Sequence, residues 1–533
     1  MRVDTGRAAR FGLVAAAVLT FSGLLVKVPS ATSAIEYAGS RGPATQTKTQ
    51  PKRAGPYAVV LVVDAARFDE FDPARMPNLA KLMAAGTTYD HAWVGQLPSV
   101  TESSHATIGS GVLPKRHLIL GDTWRIPGTE QMSPNLLDST LTRTGYIGKL
   151  IRQTGSPSLA ALVDQRWPGS VTAALSGHKI YAADGLGAGA ADFVAFGGSN
   201  AQKHYVPSGI PGRVPATAIL KSPQLDLPAY PRTPGLEDDW TTTLALKLLF
   251  KYHPRLMMIN LPEVDTFGHL SGTDATVMQP LMVNVDHQIG RIVAAYQRAG
   301  LYNQTDFIIT ADHGMVPATH TVDAQTVKAI VDKAGGQMLY EGHGDSMSIW
   351  LKNPTAIPVV AKALSDADVP YVNAVYMRNT SGKYQLVSPV SRLQAPGLDK
   401  AYGTLLNTFD QAEAPDIELM YDENTITMTP LFQQIGRKGD HGGASWGAQH
   451  IPLVVAGPGI RAGYTSTYPA RLVDIAPTVE TLMQITPAHQ DGVPLADAML
   501  KPPAWATAQQ SKRGQRLGPE VDALIQSAAA QHG

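Results

Sequence analysis

Seven consecutive apolar residues, Tyr57-Ala-Val-Val-Leu-Val-Val63, stop abruptly at Asp64. A run of that length, rich in β-branched side chains, suits a strand buried on both faces of a parallel sheet. Comparable runs recur at Leu256 to Leu261, Phe307 to Thr310 and Ile451 to Ala456, separated by stretches of helical periodicity such as Val277 to Arg298. This alternation predicts an α/β fold: a doubly wound, mostly parallel sheet flanked by helices. In such a sheet a ligand site forms beyond the carboxyl ends of the strands. The first three runs lead into Asp or Asp-His at that end.

The pattern is less regular elsewhere. Between Thr310 and Gly439 helical and strand periods mix, with strand-like stretches at Met347 to Leu351 and Tyr371 to Met377. The expectation is an α+β insertion over about 320–435 that covers one side of the site. Residues 155–235 are rich in Gly, Pro and Ala with weak periodicity, and they read as long loops and short helices. The chain after Pro502 reads as a peripheral helix with a frayed end.

At the N-terminus, Arg2, Arg7 and Arg10 precede an apolar run from Phe11 to Val26, then Pro29 and the small residues Ser30 to Ala34. That tripartite pattern predicts an export signal over residues 1–34, with an uncleaved signal anchor as the alternative. The polar, Gly- and Pro-containing stretch that follows predicts a flexible linker over 35–55. A catalytic domain over 56–500 and a tail over 501–533 complete the expected organisation. No later stretch is apolar enough to span a bilayer, so the expected location is exported, either secreted or associated with the cell envelope.

Composition narrows the chemistry. The 44 Lys and Arg balance 44 Asp and Glu, with no long run of one sign, which argues against a nucleic-acid scaffold role. Cysteine is absent, which excludes disulfides, thiolate metal sites and a Cys nucleophile. Any metal must be held by His, Asp or Glu. Four segments offer those residue types next to a predicted strand or on a Gly-rich loop: Asp64, Asp265-Thr-Phe-Gly-His269, Asp312-His313-Gly, and Asp440-His441-Gly-Gly. Each alone is weak, because an Asp after a strand is commonly a helix cap and His-Gly a turn. Their coincidence at strand ends points to one metal-binding site.

In order along the chain stand Asp64, Thr101, His105-Ala-Thr-Ile-Gly-Ser-Gly111, Leu113-Pro-Lys-Arg-His117, Asp265 to His269, Asp312-His-Gly-Met315, His441, Asp474-Ile-Ala-Pro-Thr478 and Asp491-Gly492. This set resembles the alkaline phosphatase superfamily, and within it the type I phosphodiesterase/nucleotide pyrophosphatase group, from about residue 57 to 500. The resemblance implies an alkaline phosphatase-like fold and a phosphoric ester hydrolase with two divalent metal ions. It implies that Asp64, Thr101, Asp312 and His313 hold one ion, with Thr101 also the nucleophile, and that Asp265, His269 and His441 hold the other. Mixed imidazole and carboxylate donors suit Zn2+ better than magnesium, with manganese and iron left open. A threonine hydroxyl needs a Lewis acid to attack phosphorus at neutral pH, which is the chemistry such a pair supplies.

One position departs from the pattern. Where the phosphodiesterase group usually carries an Asn that donates to a phosphoryl oxygen, this chain has Asp122. An ionised carboxylate there repels that oxygen, so Asp122 is expected to be protonated, turned away, paired with a cation such as Arg125 or Lys115, or holding a further metal. The expected substrate is small and phosphorylated: a nucleotide, another phosphodiester or a lipid head group. The alternatives are a phosphomonoesterase or phosphonate hydrolase on the same core, or a non-catalytic protein that binds a phosphorylated ligand. The oligomeric state is not legible.

Overall fold

The structure is a computed structural model that describes residues 55–138, 145–197, 227–231, 235–409 and 412–532. The expected export signal, and the expected linker up to residue 54, lie outside the described residues. In chain order the strands of the two large sheets are β1 (Tyr57–Val63), β2 (Gly86–Tyr89), β3 (Thr172–Ser176), β4 (Phe193–Phe196), β5 (Leu256–Leu261), β6 (Thr305–Thr310), β7 (Met338–His343), β8 (Ser346–Leu351), β9 (Val372–Arg378), β10 (Tyr384–Leu386), β11 (Ile417–Tyr421), β12 (Leu453–Ala456) and β13 (Tyr464–Ser466). Five helices matter for the site and its surroundings: α1 (Thr101–Ser110), α2 (Ile180–Gly187), α3 (Glu263–Ser271), α4 (Ala275–Arg298) and α5 (Ala504–His532).

The larger sheet has eight strands in the order β13-β2-β12-β6-β1-β5-β3-β4. β1 lies at its centre, parallel to β5 and β6, and is buried along its whole length. That burial explains its unbroken apolar run, since neither face meets water. Only β12 runs against its neighbours, pairing antiparallel with both β6 and β2. Helix α4 begins at Asp274, whose side chain accepts from Thr276 N, and buries Met278, Met282, Val285, Ile289, Ile292 and Tyr296. That spacing of three to four residues makes one apolar stripe. Around the sheet pack α4 and the helices Pro77–Ala85 and Glu237–Tyr252, and separately α1, α2 and the helices Leu159–Arg166 and Ile475–Leu482.

The loop-rich expectation for residues 155–235 is corrected in part. Among its described residues the segment supplies β3 and β4, two fully buried parallel strands. β3 reads Thr-Ala-Ala-Leu-Ser, so its burial rests on small side chains that give little hydrophobic contrast in the sequence.

The α+β insertion forms a second, antiparallel sheet in the order β10-β9-β11-β8-β7. Its hydrophobic core includes Val327, Val331, Ile349, Val360, Leu364 and Leu419. A buried ion pair fastens it to the rest: Arg125 reaches Asp416 with its two terminal nitrogens at 2.7 and 2.8 Å, and Arg378 reaches the same carboxylate at 2.6 Å. The C-terminal helix α5 packs against the helix Leu398–Leu406, with Leu517, Val521 and Leu524 buried.

Candidate active site

Helix α1 has all ten residues buried, although its sequence Thr-Glu-Ser-Ser-His-Ala-Thr-Ile-Gly-Ser is barely apolar. Small residues let it pack closely. A Cβ on Gly109 would lie 2.5 Å from the carbonyl oxygens of Gly185 and Leu186, so only glycine permits this approach of α1 to α2. Gly111 then ends α1 in the left-handed conformation at φ 72°. The close crossing sets Lys179, the residue that precedes α2, beside Thr101 at the start of α1.

The other candidates arrive from the ends of the central strands. Asp64 follows β1, and its N–H continues the ladder to Leu261 O at 3.0 Å. The next residue, Ala65, has φ 61°, a costly conformation for a residue with a Cβ. Its N–H donates to Asp312 Oδ1 at 3.0 Å, which locks the turn after β1 to the turn after β6. Asp265 and His269 lie one helical turn apart on α3, just beyond β5.

The structure brings all seven expected metal-site residues together. Thr101 Oγ1 lies 3.3 Å from His313 Nε2. His313 Nε2 is 3.2 Å from Asp312 Oδ2 and 3.8 Å from Asp64 Oδ1. Asp265 Oδ1 has His441 Nε2 at 3.2 Å and His269 Nε2 at 3.4 Å. The rings of His313 and His441 stack with centroids 3.6 Å apart. Donor atoms of Asp265, His269 and His441 all lie within 4.8 Å of one another, as do those of Asp64, Asp265 and His313, and those of Asp64, His105 and Asp312.

These groups fit cations. Asp265 Oδ1 and Asp312 Oδ2 are buried without a hydrogen-bond donor, which is costly unless a positive charge faces them. Burial pushes His313 down to about 3 and His269 down to about 4, so both imidazoles are neutral with a nitrogen lone pair to offer. The second nitrogens are oriented by backbone: His269 Nδ1 lies 3.0 Å from Gly439 O, and His441 Nδ1 lies 3.2 Å from Ser99 O.

Lys179 is the residue that sequence reasoning missed. It is 3 % exposed. Its Nζ lies 2.7 Å from Asp64 Oδ1, 2.6 Å from Asp265 Oδ2 and 3.3 Å from Thr101 Oγ1. Against the cost of burial, Asp265 and Asp64 hold this ammonium well above its ordinary range, so it is charged. Likewise, against burial, Lys179 and then His269 hold the Asp265 carboxyl well below its usual range. No motif surrounds Lys179, and the strand that positions it is the inconspicuous β3. Asn260 on β5 was missed too. Its Nδ2 donates to Asp64 Oδ2 at 3.0 Å and to Ser176 Oγ at 3.1 Å, while its Oδ1 lies 3.0 Å from His105 Nε2.

Asp122 is half-buried, and neither expected cation pairs with it. Arg125 belongs to Asp416, and Lys115 Nζ donates to Asn407 O at 3.0 Å. Its partner is Glu102, the residue after Thr101. Burial, then the Asp122 charge, lift the Glu102 carboxyl well above its usual range. Burial lifts Asp122 as well, while His441 and a hydrogen bond from Glu102 pull it back. Both carboxyls are thus lifted above their usual range, Glu102 the more strongly.

Other ionisable residues near these segments have ordinary places. His105 Nδ1 lies 2.8 Å from Thr101 O within its own helix. Glu263 Oε1 accepts from Glu237 N at 2.7 Å, tying α3 to a neighbouring helix. His450 stacks on Phe68 and Trp446, and His287 is exposed. Arg437 bonds Asp440 Oδ1 at 2.7 Å and lies 3.4 Å from His269 Nε2.

The sequence model of a family described as type I phosphodiesterase/nucleotide pyrophosphatase matches residues 58–443. Alkaline phosphatase PhoD of Zymomonas mobilis is 25 % identical over 287 residues, 48 % of this chain and 47 % of that protein. Human ectonucleotide pyrophosphatase/phosphodiesterase family member 5 is 37 % identical over 53 residues, 10 % of this chain and 11 % of that one. The chain thus spans about half the length of the first relative and about a tenth of the second. Among solved structures, murine ectonucleotide pyrophosphatase/phosphodiesterase 5, an inactive threonine-to-alanine variant in complex with AMP, superposes with a TM-score of 0.58. The match is at 16 % identity and covers 85 % of this chain and 99 % of that one. The human counterpart gives a TM-score of 0.57 at 16 % identity, over 84 % of this chain and all of that one. These structural matches show a shared fold.

Proposed function

From the premise that the chain belongs to the type I phosphodiesterase/nucleotide pyrophosphatase family, we propose that it hydrolyses phosphoric esters with Thr101 as nucleophile. The observation that carries this reading is the surroundings of Thr101 Oγ1. It stands at the start of a buried helix, 3.3 Å from both Lys179 Nζ and His313 Nε2, beside three carboxylates and three imidazoles that fit cations. Two divalent cations, preferably zinc, would be held by Asp64, Thr101, Asp312 and His313 and by Asp265, His269 and His441, and would supply Lewis-acid stabilisation of the entering and departing oxygens. Thr101 Oγ1 forms the new bond to phosphorus as the bond to the leaving oxygen breaks, and the hydroxyl proton ends on that leaving oxygen. Water then opens the phosphothreonine and restores the hydroxyl. The partial positive charge at the N-terminus of α1 favours the anionic group at Thr101.

The favoured substrate is a small phosphodiester or pyrophosphate, such as a nucleotide or a lipid head group. Lys179 favours a second reading, a phosphomonoesterase. A monoester brings a dianionic phosphoryl group to Thr101 where a diester brings a monoanion, and a buried ammonium at the nucleophile stabilises the extra charge. The name of the Zymomonas relative agrees with it. An export signal over residues 1–34 would put this chemistry outside the cytoplasm, which fractionation of cells producing the full chain tests.

The decisive experiment compares zinc-reconstituted protein with Thr101→Ala on a chromogenic phosphomonoester and the matching diester. Hydrolysis of one or both by the parent protein, and its loss in the variant, is the expected outcome. Equal activity in the two proteins discards Thr101, and inactivity of both leaves a protein that only binds phosphorylated ligands.

A further inference from the structure

The loop that carries His441 is gripped from two sides. On the catalytic side is Ser99, two residues ahead of Thr101. Its N–H donates to Gly442 O at 3.1 Å, its hydroxyl donates to Gly443 O at 2.9 Å, and its carbonyl faces His441 Nδ1. On the other side is Asp345, in the turn between β7 and β8 of the insertion sheet, 1 % exposed. Asp345 Oδ1 accepts from Gly443 N at 2.5 Å, and its Oδ2 accepts from Ser445 Oγ at 2.5 Å and Ser445 N at 3.2 Å. The two backbones touch as well. A Cβ on Gly344 would lie 2.2 Å from His441 O, and one on Gly443 would lie 2.6 Å from Asp345 O.

We propose that Asp345 is a positioning residue through which the insertion sets the His441 imidazole against Asp265, and so completes the cation site of Asp265, His269 and His441. The inference rests on the reading that these three residues bind a divalent cation. A buried carboxylate that accepts three hydrogen bonds from one short loop fixes that loop more tightly than backbone contacts alone. Asp64, Asp312 and His313 lie in other segments, at the ends of β1 and β6, and Asp345 makes no bond to the turns that carry them. Its removal therefore affects one site and spares the other. Glu423, next to β11, adds to the grip further along, accepting from Trp446 N at 2.5 Å and Gly447 N at 3.2 Å.

The test is Zn2+ titration of the full-length protein against a chromogenic chelator, for the parent, Asp345→Ala and His441→Ala. The parent is expected to bind two equivalents. In Asp345→Ala one equivalent weakens about 10–100-fold, the range for loss of a group that orients a metal ligand, while the other keeps its affinity. His441→Ala weakens the same equivalent, and the double variant is no worse than His441→Ala alone. Parental affinity at both equivalents in Asp345→Ala, or equal weakening of both, overturns the proposal. A parent protein that binds no Zn2+ instead overturns the metal reading beneath it. Where Asp345→Ala does not fold, Ser445→Ala removes one of the three hydrogen bonds. A several-fold weakening confined to one equivalent supports the proposal, and unchanged affinity overturns it.

Discussion

The two large sheets are built on opposite logics. The eight-stranded sheet is nearly all parallel, buries β1, β5 and β6 completely, and places Asp64, Asp265 and Asp312 just past their ends. The five-stranded sheet is antiparallel, with β7 only half-buried, and supplies none of the seven expected metal-site residues. It still reaches the site through the turn at Asp345. The difference teaches that the parallel sheet gathers the candidate site residues, while the insertion grips one of the loops that carry them.

The largest effect should come from the parallel side. Thr101→Ala removes the proposed nucleophile while keeping the helix, so kcat/KM should fall at least about 10⁴-fold with an unchanged melting temperature. A loss of only about tenfold would mean that the bond to phosphorus forms elsewhere. The next concerns the joint between the sheets. Asp416→Ala leaves Arg125 and Arg378 facing each other without their carboxylate, an uncompensated buried charge that costs about 3–5 kcal/mol. Urea unfolding should shift accordingly and remain a single transition. Two separate transitions would show the insertion to be an independent unit and would weaken the contrast drawn here. Lys179→Ala comes third, with a loss of about 10²–10³-fold in kcat/KM. If the monoesterase reading holds, the monoester suffers more than the diester, and equal losses would argue for the diester.

What could be read from the residues follows the same divide. Strands buried on both faces announce themselves as apolar runs, and a ligand-type side chain directly after such a run is visible without any structure. Asp64, Asp312 and His313 were legible for that reason. Lys179 was not, because β3 is buried through Thr, Ala and Ser, and a single lysine at a helix start carries no spacing signal. Asn260 lies inside the apolar run Leu256 to Leu261, where it reads as an interruption. Asp345 was hidden because its partners, two backbone N–H groups and the Ser445 hydroxyl, lie about a hundred residues away, and pairing of that kind leaves no local pattern. The role of Asp122 was open in the sequence since its partner Glu102 is adjacent to Thr101 and looks like an ordinary helix-start acid.

The smallest effect isolates the insertion sheet by pH. Glu418 sits in β11 opposite Ser348 and Tyr376, 1 % exposed, and receives a hydrogen bond from the Ser348 hydroxyl while its Oε2 has no partner. Burial pushes its carboxyl up to about 8. In the unfolded chain the group titrates at its ordinary value near 4.5. Between those two values the unfolded chain has released a proton that the folded sheet still holds. Its contribution to stability is therefore complete below the lower value and is lost as pH rises through the upper one. Glu418→Gln keeps the shape and stays neutral throughout. The variant should be no more stable than the parent at the acidic end of this range, and more stable than the parent at its alkaline end. Urea unfolding at both pH values checks it. A constant difference across the range would mean that Glu418 titrates normally, and that the centre of the antiparallel sheet admits a charged carboxylate.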